Sequence, residues 1–263
     1  AAMAANFWVS THCLHWTLKL SPEQVDTAHG KHEGLTAAEV KRLHADLAEL
    51  IQDVGVDMGL RQLVISTSIV YFKRFFLRHT FGDMNPHLLA AAALYLACKV
   101  EEFHVRLTTL VKEVRNVVGK VIAAAAPEAE RDALVRRQLT PITNEAVLEA
   151  ELCLLEALNF DTIVFHPYRP LQLFLMDAGL EERCLQTAWS IVNDSYRVDV
   201  GLFYPPYMIA LAATHMACVY NKQNPAAWFD LLSVDMREIE AIEMALLSLF
   251  RDSGRDDRAR LVG

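Results

Sequence analysis

The chain has 263 residues, 53% of them hydrophobic and 22% charged, enough for two medium-sized domains and far too apolar for a disordered polymer. Lys and Arg total 25 against 33 Asp and Glu; the balance is 16 against 20 up to Asp161 and 9 against 13 beyond it, so each half is acidic by 4 and neither offers the basic stripe of a nucleic-acid binder. Ten Gly and nine Pro favour long helices over many short strands, and five scattered cysteines without a CxxC pair fit reduced thiols rather than a disulfide or zinc scaffold.

Asn6 to Leu20 carries Phe7, Leu14, Trp16, Leu18 and Leu20 in a loosely helical pattern, without the basic start and apolar run of a signal peptide. Ser21 to Gly34 is polar, His-rich and bounded by Gly, and reads as a linker, so residues 1–35 form an N-terminal helix and connector. Thr36 with Glu39 makes a capping box ahead of Val40, Leu43, Leu47, Leu50 and Ile51, predicting a helix over about 37–54. Leu60 to Thr80 predicts a second, mostly buried helix. Pro86 sits in the first turn of a third, Ala-rich helix running to Val100. A fourth runs from Leu107 to Ala126, followed by a charged insert over 127–141, and a fifth from Thr143 to Asn159. His166-Pro167-Tyr168-Arg169-Pro170 separates this group from the next.

The next group repeats the first. At an offset of 120 residues, Pro86 falls on Pro206, Leu88 on Met208, Leu89 on Ile209, Ala90 on Ala210, Ala92 on Ala212, Ala93 on Ala213, Ala97 on Ala217 and Cys98 on Cys218. At an offset of 122, Ser68-Ile69-Val70 falls on Ser190-Ile191-Val192, and at 92, Glu151-Leu152-Cys153-Leu154-Leu155 falls on Glu243-Met244-Ala245-Leu246-Leu247. The smaller last offset predicts a shortened fourth helix near Pro225 to Leu232. The fold expected is all-α: two copies of a five-helix unit over 36–161 and 162–252, each built around its small-residue third helix, with a tail over 253–263. Val200 to Asn221 is uncharged apart from His215, but Pro205-Pro206 leaves about 14 continuous helical residues where a membrane span needs about 20.

A duplicated five-helix bundle resembles the cyclin box, and Leu96-Ala97-Cys98-Lys99-Val100-Glu101-Glu102, with Glu151 in the fifth helix, is similar to the matching segments of cyclins. Asn6-Phe7-Trp8, Val70-Tyr71-Phe72-Lys73-Arg74-Phe75, His166-Pro167-Tyr168-Arg169-Pro170, Ile191-Val192-Asn193-Asp194-Ser195-Tyr196-Arg197 and Tyr204-Pro205-Pro206 resemble the cyclins of the Mediator kinase module. The resemblance implies a nuclear regulatory subunit, not a catalyst, that binds and activates a cyclin-dependent kinase through its first repeat, with Lys99 and Glu151 at the kinase contact. It also implies a large scaffold subunit as second partner, on Trp8, Glu101, Trp189, Asn193 and Asp194; of these Trp189, Asn193 and Asp194 share a helical stripe. The Trp of the substrate-docking patch of cell-cycle cyclins is replaced by Thr67, so that route is not carried over.

No cofactor, metal site or membrane contact is implied. His12 and His15, and His29 and His32, lack third and fourth ligands at recognisable spacing and read as solvated histidines; no GxSxG, HExxH, P-loop or GxGxxG occurs. Ser68 and Ser190 read as buried small residues. The rival readings are a cyclin of another transcriptional kinase and a TFIIB-like DNA-binding factor; the second would need a zinc ribbon and basic faces that the sequence lacks.

Overall fold

The computed structural model describes residues 6–17, 21–31, 34–125 and 142–252, and contains no strand among them. The insert over 127–141 and the tail over 253–263 lie outside the described residues. The chain forms two compact units, one of residues 21–164 and the other of 6–17 with 165–252.

In the first unit, α1 (Pro22–His29) occupies part of the stretch read as linker: Val25 and Ala28 are buried, and this short apolar edge organises an otherwise polar segment. The five helices of the repeat follow as α2 (Ala37–Asp57), α3 (Gln62–Phe76), α4 (Pro86–Val100), α5 (Leu107–Ala125) and α6 (Asn144–Ala157). Their starts are fixed by side-chain caps. The Thr36 hydroxyl accepts from Glu39 N while Glu39 accepts from Thr36 N at 2.8 Å, and Asn85 Oδ1 accepts from His87 N and Leu88 N at 2.9 and 3.1 Å ahead of Pro86. Ala90 to Ala93 are wholly buried, and their small side chains let α4 pack against α2, α3, α5 and α6 at once. The second helix is shorter than predicted: after Phe76 the backbone turns, and Thr80 N donates to Asp83 Oδ2 at 2.7 Å.

In the second unit, a 3-10 turn (Phe7–Val9) and a π-helical turn (His12–Trp16) precede α7 (Tyr168–Asp177), α8 (Glu181–Ser195), the one-turn α9 (Val200–Phe203), α10 (Pro206–Tyr220), α11 (Ala226–Phe229) and α12 (Met236–Asp252). The N-terminal segment is therefore two separate turns rather than one helix. The fourth helix of the second repeat is reduced to the single turn α11, as the smaller offset requires. The central α10 is buried from Met208 to Thr214 and packs on α7, α8 and α12. The duplication reaches the backbone: Gly59 and Gly179, 120 residues apart, both take left-handed φ values (65° and 66°) after the first long helix of each repeat, and Glu102 and Lys222 do so after the central helix.

Candidate functional site

The first-unit site grows from the ends of two helices. Lys99 lies in the last turn of α4, and Glu151 in the middle of α6, which Thr143 starts by accepting from Ala146 N at 3.1 Å. Lys99 Nζ stands 2.7 Å from both carboxylate oxygens of Glu151 and 4.3 Å from the ring centroid of Tyr95, one turn back on α4. The two charges meet water unequally: the Lys99 side chain is 49% exposed, that of Glu151 7%. The ammonium thus fixes a buried carboxylate and still has solvent-side capacity to donate to an arriving backbone carbonyl.

The helix that carries Glu151 also exposes apolar side chains. Leu148 and Leu152 of α6 are exposed, and Phe160 and Ile163 are exposed in the segment that follows it; Phe160 is 71% exposed. Its backbone is strained: Asn159 and Phe160 carry φ of 51° and 59° in succession, which costs about 1–3 kcal/mol for a bulky residue. The surroundings over-determine that turn. Arg78 Nη1 donates to Ala157 O at 2.8 Å and to Asn159 Oδ1 at 3.3 Å, Phe160 N donates to Leu155 O, and the Tyr71 hydroxyl donates to Thr162 O. Beneath lies Arg74, wholly buried, whose pKa burial pulls down while the charge of Asp161 opposes that fall. Burial likewise pushes the Tyr71 phenol far up, so it stays a neutral donor. Tyr95, Phe160 and Arg78 are the site residues that pattern reading missed; Asn159 at a helix end was the only signal, since Asn tolerates the left-handed region.

Glu101 belongs to this first unit, where the buried Thr67 hydroxyl donates to its Oε1 at 2.8 Å. Thr67 is fully enclosed, so this position presents nothing to solvent.

In the second unit, Trp189 is half-buried against the Tyr168 ring (centroids 4.6 Å apart), and the Tyr168 hydroxyl donates to Asn193 Oδ1 at 2.9 Å, one turn further along α8. Asp194 is half-buried beside it. Trp8 lies 53% exposed on Tyr207, with centroids 5.9 Å apart. Two expectations fail. His12 is buried rather than solvated: its Nδ1 accepts from Phe165 N at 2.9 Å and Phe7 packs edge-on against its ring. Ser190 is only half-buried, its hydroxyl donating to Gln186 O, whereas Ser68 is fully buried.

Two all-helical repeats, each wrapped around a small-residue helix and the first presenting a lysine–glutamate pair on a helix that also exposes apolar side chains, define a scaffold built for binding other proteins. The Cyclin, N-terminal domain family matches residues 20–163, and the Cyclin C-terminal domain family matches 166–235. The chain belongs to the cyclin family. It is 40% identical to Cyclin-C of Rattus norvegicus over 94% of this chain and 84% of that protein, and 38% identical to Cyclin-C of Drosophila melanogaster over 94% and 90%. Among solved structures it superposes on a chain of the CAK complex of Chaetomium thermophilum bound to ATP-gamma-S (TM-score 0.70, 21% identity, 94% of this chain and 81% of that one). It also superposes on a chain of the yeast TFIIK complex (TM-score 0.65, 19% identity, 91% and 100%). At those identities the likeness is one of fold.

Proposed function

We propose that this cyclin is the regulatory subunit of the cyclin-dependent kinase of the Mediator module and acts in the nucleus on RNA polymerase II transcription, itself catalysing nothing and needing no cofactor. The observation that carries the reading is the Lys99–Glu151 pair, a buried carboxylate locked to a half-exposed ammonium, on a helix that also exposes Leu148 and Leu152. Such a face suits a helix and the chain leading into it: the charges take backbone groups that no intrahelical bond satisfies, and the apolar rim takes side chains. A free kinase holds its regulatory helix out of place, so the catalytic Lys–Glu pair does not form; a partner that binds only the inward position shifts that population. Moving it from 1:99 to 99:1 takes roughly 5.5 kcal/mol of differential affinity. Relatives named Cyclin-C and Cyclin-C1-2, at 34–40% identity over nearly the whole chain, support a cyclin partner of a transcriptional cyclin-dependent kinase.

In this reading residues 36–161 and 162–252 are the two cyclin boxes, 1–35 an N-terminal appendage and 253–263 a tail. The scaffold subunit docks on Trp189, Asn193 and Asp194 of α8, whose aromatic and polar groups Tyr168 holds in place, with Trp8 and Glu101 as further contacts. Reconstitution tests both assignments. The purified Mediator kinase gains activity with the wild-type chain and not with Lys99→Ala plus Glu151→Ala, while kinases of other transcriptional complexes gain none. Undiminished activation by the double variant removes the pair from the site, and equal activation of an unrelated transcriptional kinase removes the module.

A further inference from the structure

The second repeat carries an altered copy of the first repeat's charged face. By the offset of 92, Glu243 stands where Glu151 stands, Met244 where Leu152 does and Leu247 where Leu155 does; by the offset of 120, Val219 replaces Lys99 and His215 replaces Tyr95. The carboxylate is retained, but its partner has moved back one turn: His215 Nδ1 lies 2.7 Å from Glu243 Oε1, and the His215 ring meets Phe229 edge-on at 5.3 Å. What surrounds the pair is again apolar and open, with Val219, Tyr220, Met244 and Leu247 all exposed. No packing demand of the repeat explains large side chains there, since the inward stripe of α12 is filled by Ile239, Ile242, Leu246 and Leu249.

The charge of this face is acidic on balance. Along α12 the acids Glu238, Glu240, Glu243 and Asp252 outnumber the bases Arg237 and Arg251, and α10 bears no Lys, Arg, Asp or Glu, with Lys222 just beyond its end. Burial, and to a lesser extent the neighbouring charge of Glu240, push the Glu243 carboxyl up despite its bond to His215. Glu240, Met244 and Leu247 recur at the spacing of one helical stripe, the register in which an opposing helix reads a surface.

We infer that the exposed face of α10 and α12, centred on the His215–Glu243 pair, is a second docking surface that takes a basic amphipathic helix of a partner protein. Its apolar side chains cover Val219, Met244 and Leu247, and its Lys or Arg side chains, or the free N–H groups of its first turn, complete the hydrogen bonding of Glu243 and offset Glu240. The surface shares the physical logic of the first repeat's clamp but not its kinase.

The test uses the whole chain and three synthetic 18-residue peptides. One is a Leu-striped helix with Lys flanks, one has the same stripe with Glu flanks, and one has the basic composition in scrambled order. Binding is read by fluorescence anisotropy and located by amide hydrogen exchange. The basic amphipathic peptide alone binds, and its protection falls on 215–220 and 240–247. Met244→Glu with Leu247→Glu weakens it by about tenfold or more, Glu243→Gln by a smaller factor, and Lys99→Ala plus Glu151→Ala leaves it unchanged. Circular dichroism melts confirm that the exposed-site variants fold. No binding, equal binding of the acidic or scrambled peptide, protection elsewhere, or indifference to the Met244/Leu247 variant each overturns the inference, and a surface that instead joins two copies of the chain shows as dimers lost in that variant. Because the first-repeat double variant is one arm, failure of this surface is distinguished from failure of the kinase assignment.

Discussion

Removing either member of the Lys99–Glu151 pair separates its structural from its functional role. Two unit charges 2.7 Å apart attract by about 1.5 kcal/mol at the dielectric of water and about 6 kcal/mol at an effective value of 20. Lys99 is half in solvent, so screening and the ordering of its four-carbon stem take back most of this, leaving about 1 kcal/mol of coupling in the isolated chain. In the proposed kinase complex the same groups would lose their water and face backbone dipoles, and truncating one would leave the other buried without its partner, an expected loss of about 2–5 kcal/mol or 30-fold to several thousand-fold in affinity. A double-mutant cycle with Lys99→Ala and Glu151→Ala, read by urea unfolding and by titration onto the kinase, should give coupling of about 1 kcal/mol in the first assay. In the second the two changes together cost little more than either alone, because the pair acts as a unit. Affinity changes below about threefold for both singles, or strictly additive losses, refute the reasoning.

Phe160→Ala leaves the unfolding free energy within about 0.5 kcal/mol, since the ring lies in solvent, yet weakens kinase binding by about tenfold or more in the same titration. Gly55→Ala destabilises the first unit by about 1–2 kcal/mol in denaturant titration: the added Cβ would overlap Ile65 Cγ1 and lie 2.6 Å from its Cδ1, and that overpacking exceeds the helix-propensity gain of about 1 kcal/mol. Of the five cysteines only Cys153 is exposed, and burial pushes the Cys98 thiol up to about 11 and raises Cys13 and Cys218, so a disulfide-exchange reagent at pH 8 titrates one thiol in the native chain and five in denaturant. The raised Glu243 carboxyl binds its proton more tightly folded than unfolded; its contribution is therefore fully present below the unfolded value of 4.5 and is lost as pH rises through the folded one. Wild type relative to Glu243→Gln accordingly loses unfolding free energy from pH 4 to 7, and a difference that is flat or opposite in sign refutes the assignment.

Legibility from sequence followed how locally each feature is encoded. The start of α4 was readable because Asn85 and Pro86 act within one turn, and its central place because six side chains recur unchanged, and two as similar apolar residues, 120 residues later. The shortened α11 followed from arithmetic on the offsets. By contrast α1 was hidden in a polar, His-rich stretch whose only anchors are Val25 and Ala28. At the candidate site, Lys99 and Glu151 were visible as types at family-like positions, but nothing in their spacing of 52 residues announces that they bond to each other. The turn that displays Phe160 depends on Arg78, Tyr71 and Arg74 arriving from a different helix and the loop after it, and His12 owes its burial to Phe165, far along the chain. Tertiary partners of that sort leave no periodic trace.

That last contact bears on how the protein is made. The hydrogen bond from Phe165 to His12 closes a loop of 153 residues, and residues 6–17 form one compact unit with the chain from 165 onward. At roughly 5–20 residues per second a ribosome needs about 8–30 seconds to bridge that gap. During that interval the first repeat can collapse on the nascent chain while Phe7 and Trp8 wait for Phe165 and Tyr207, the rings they pack against.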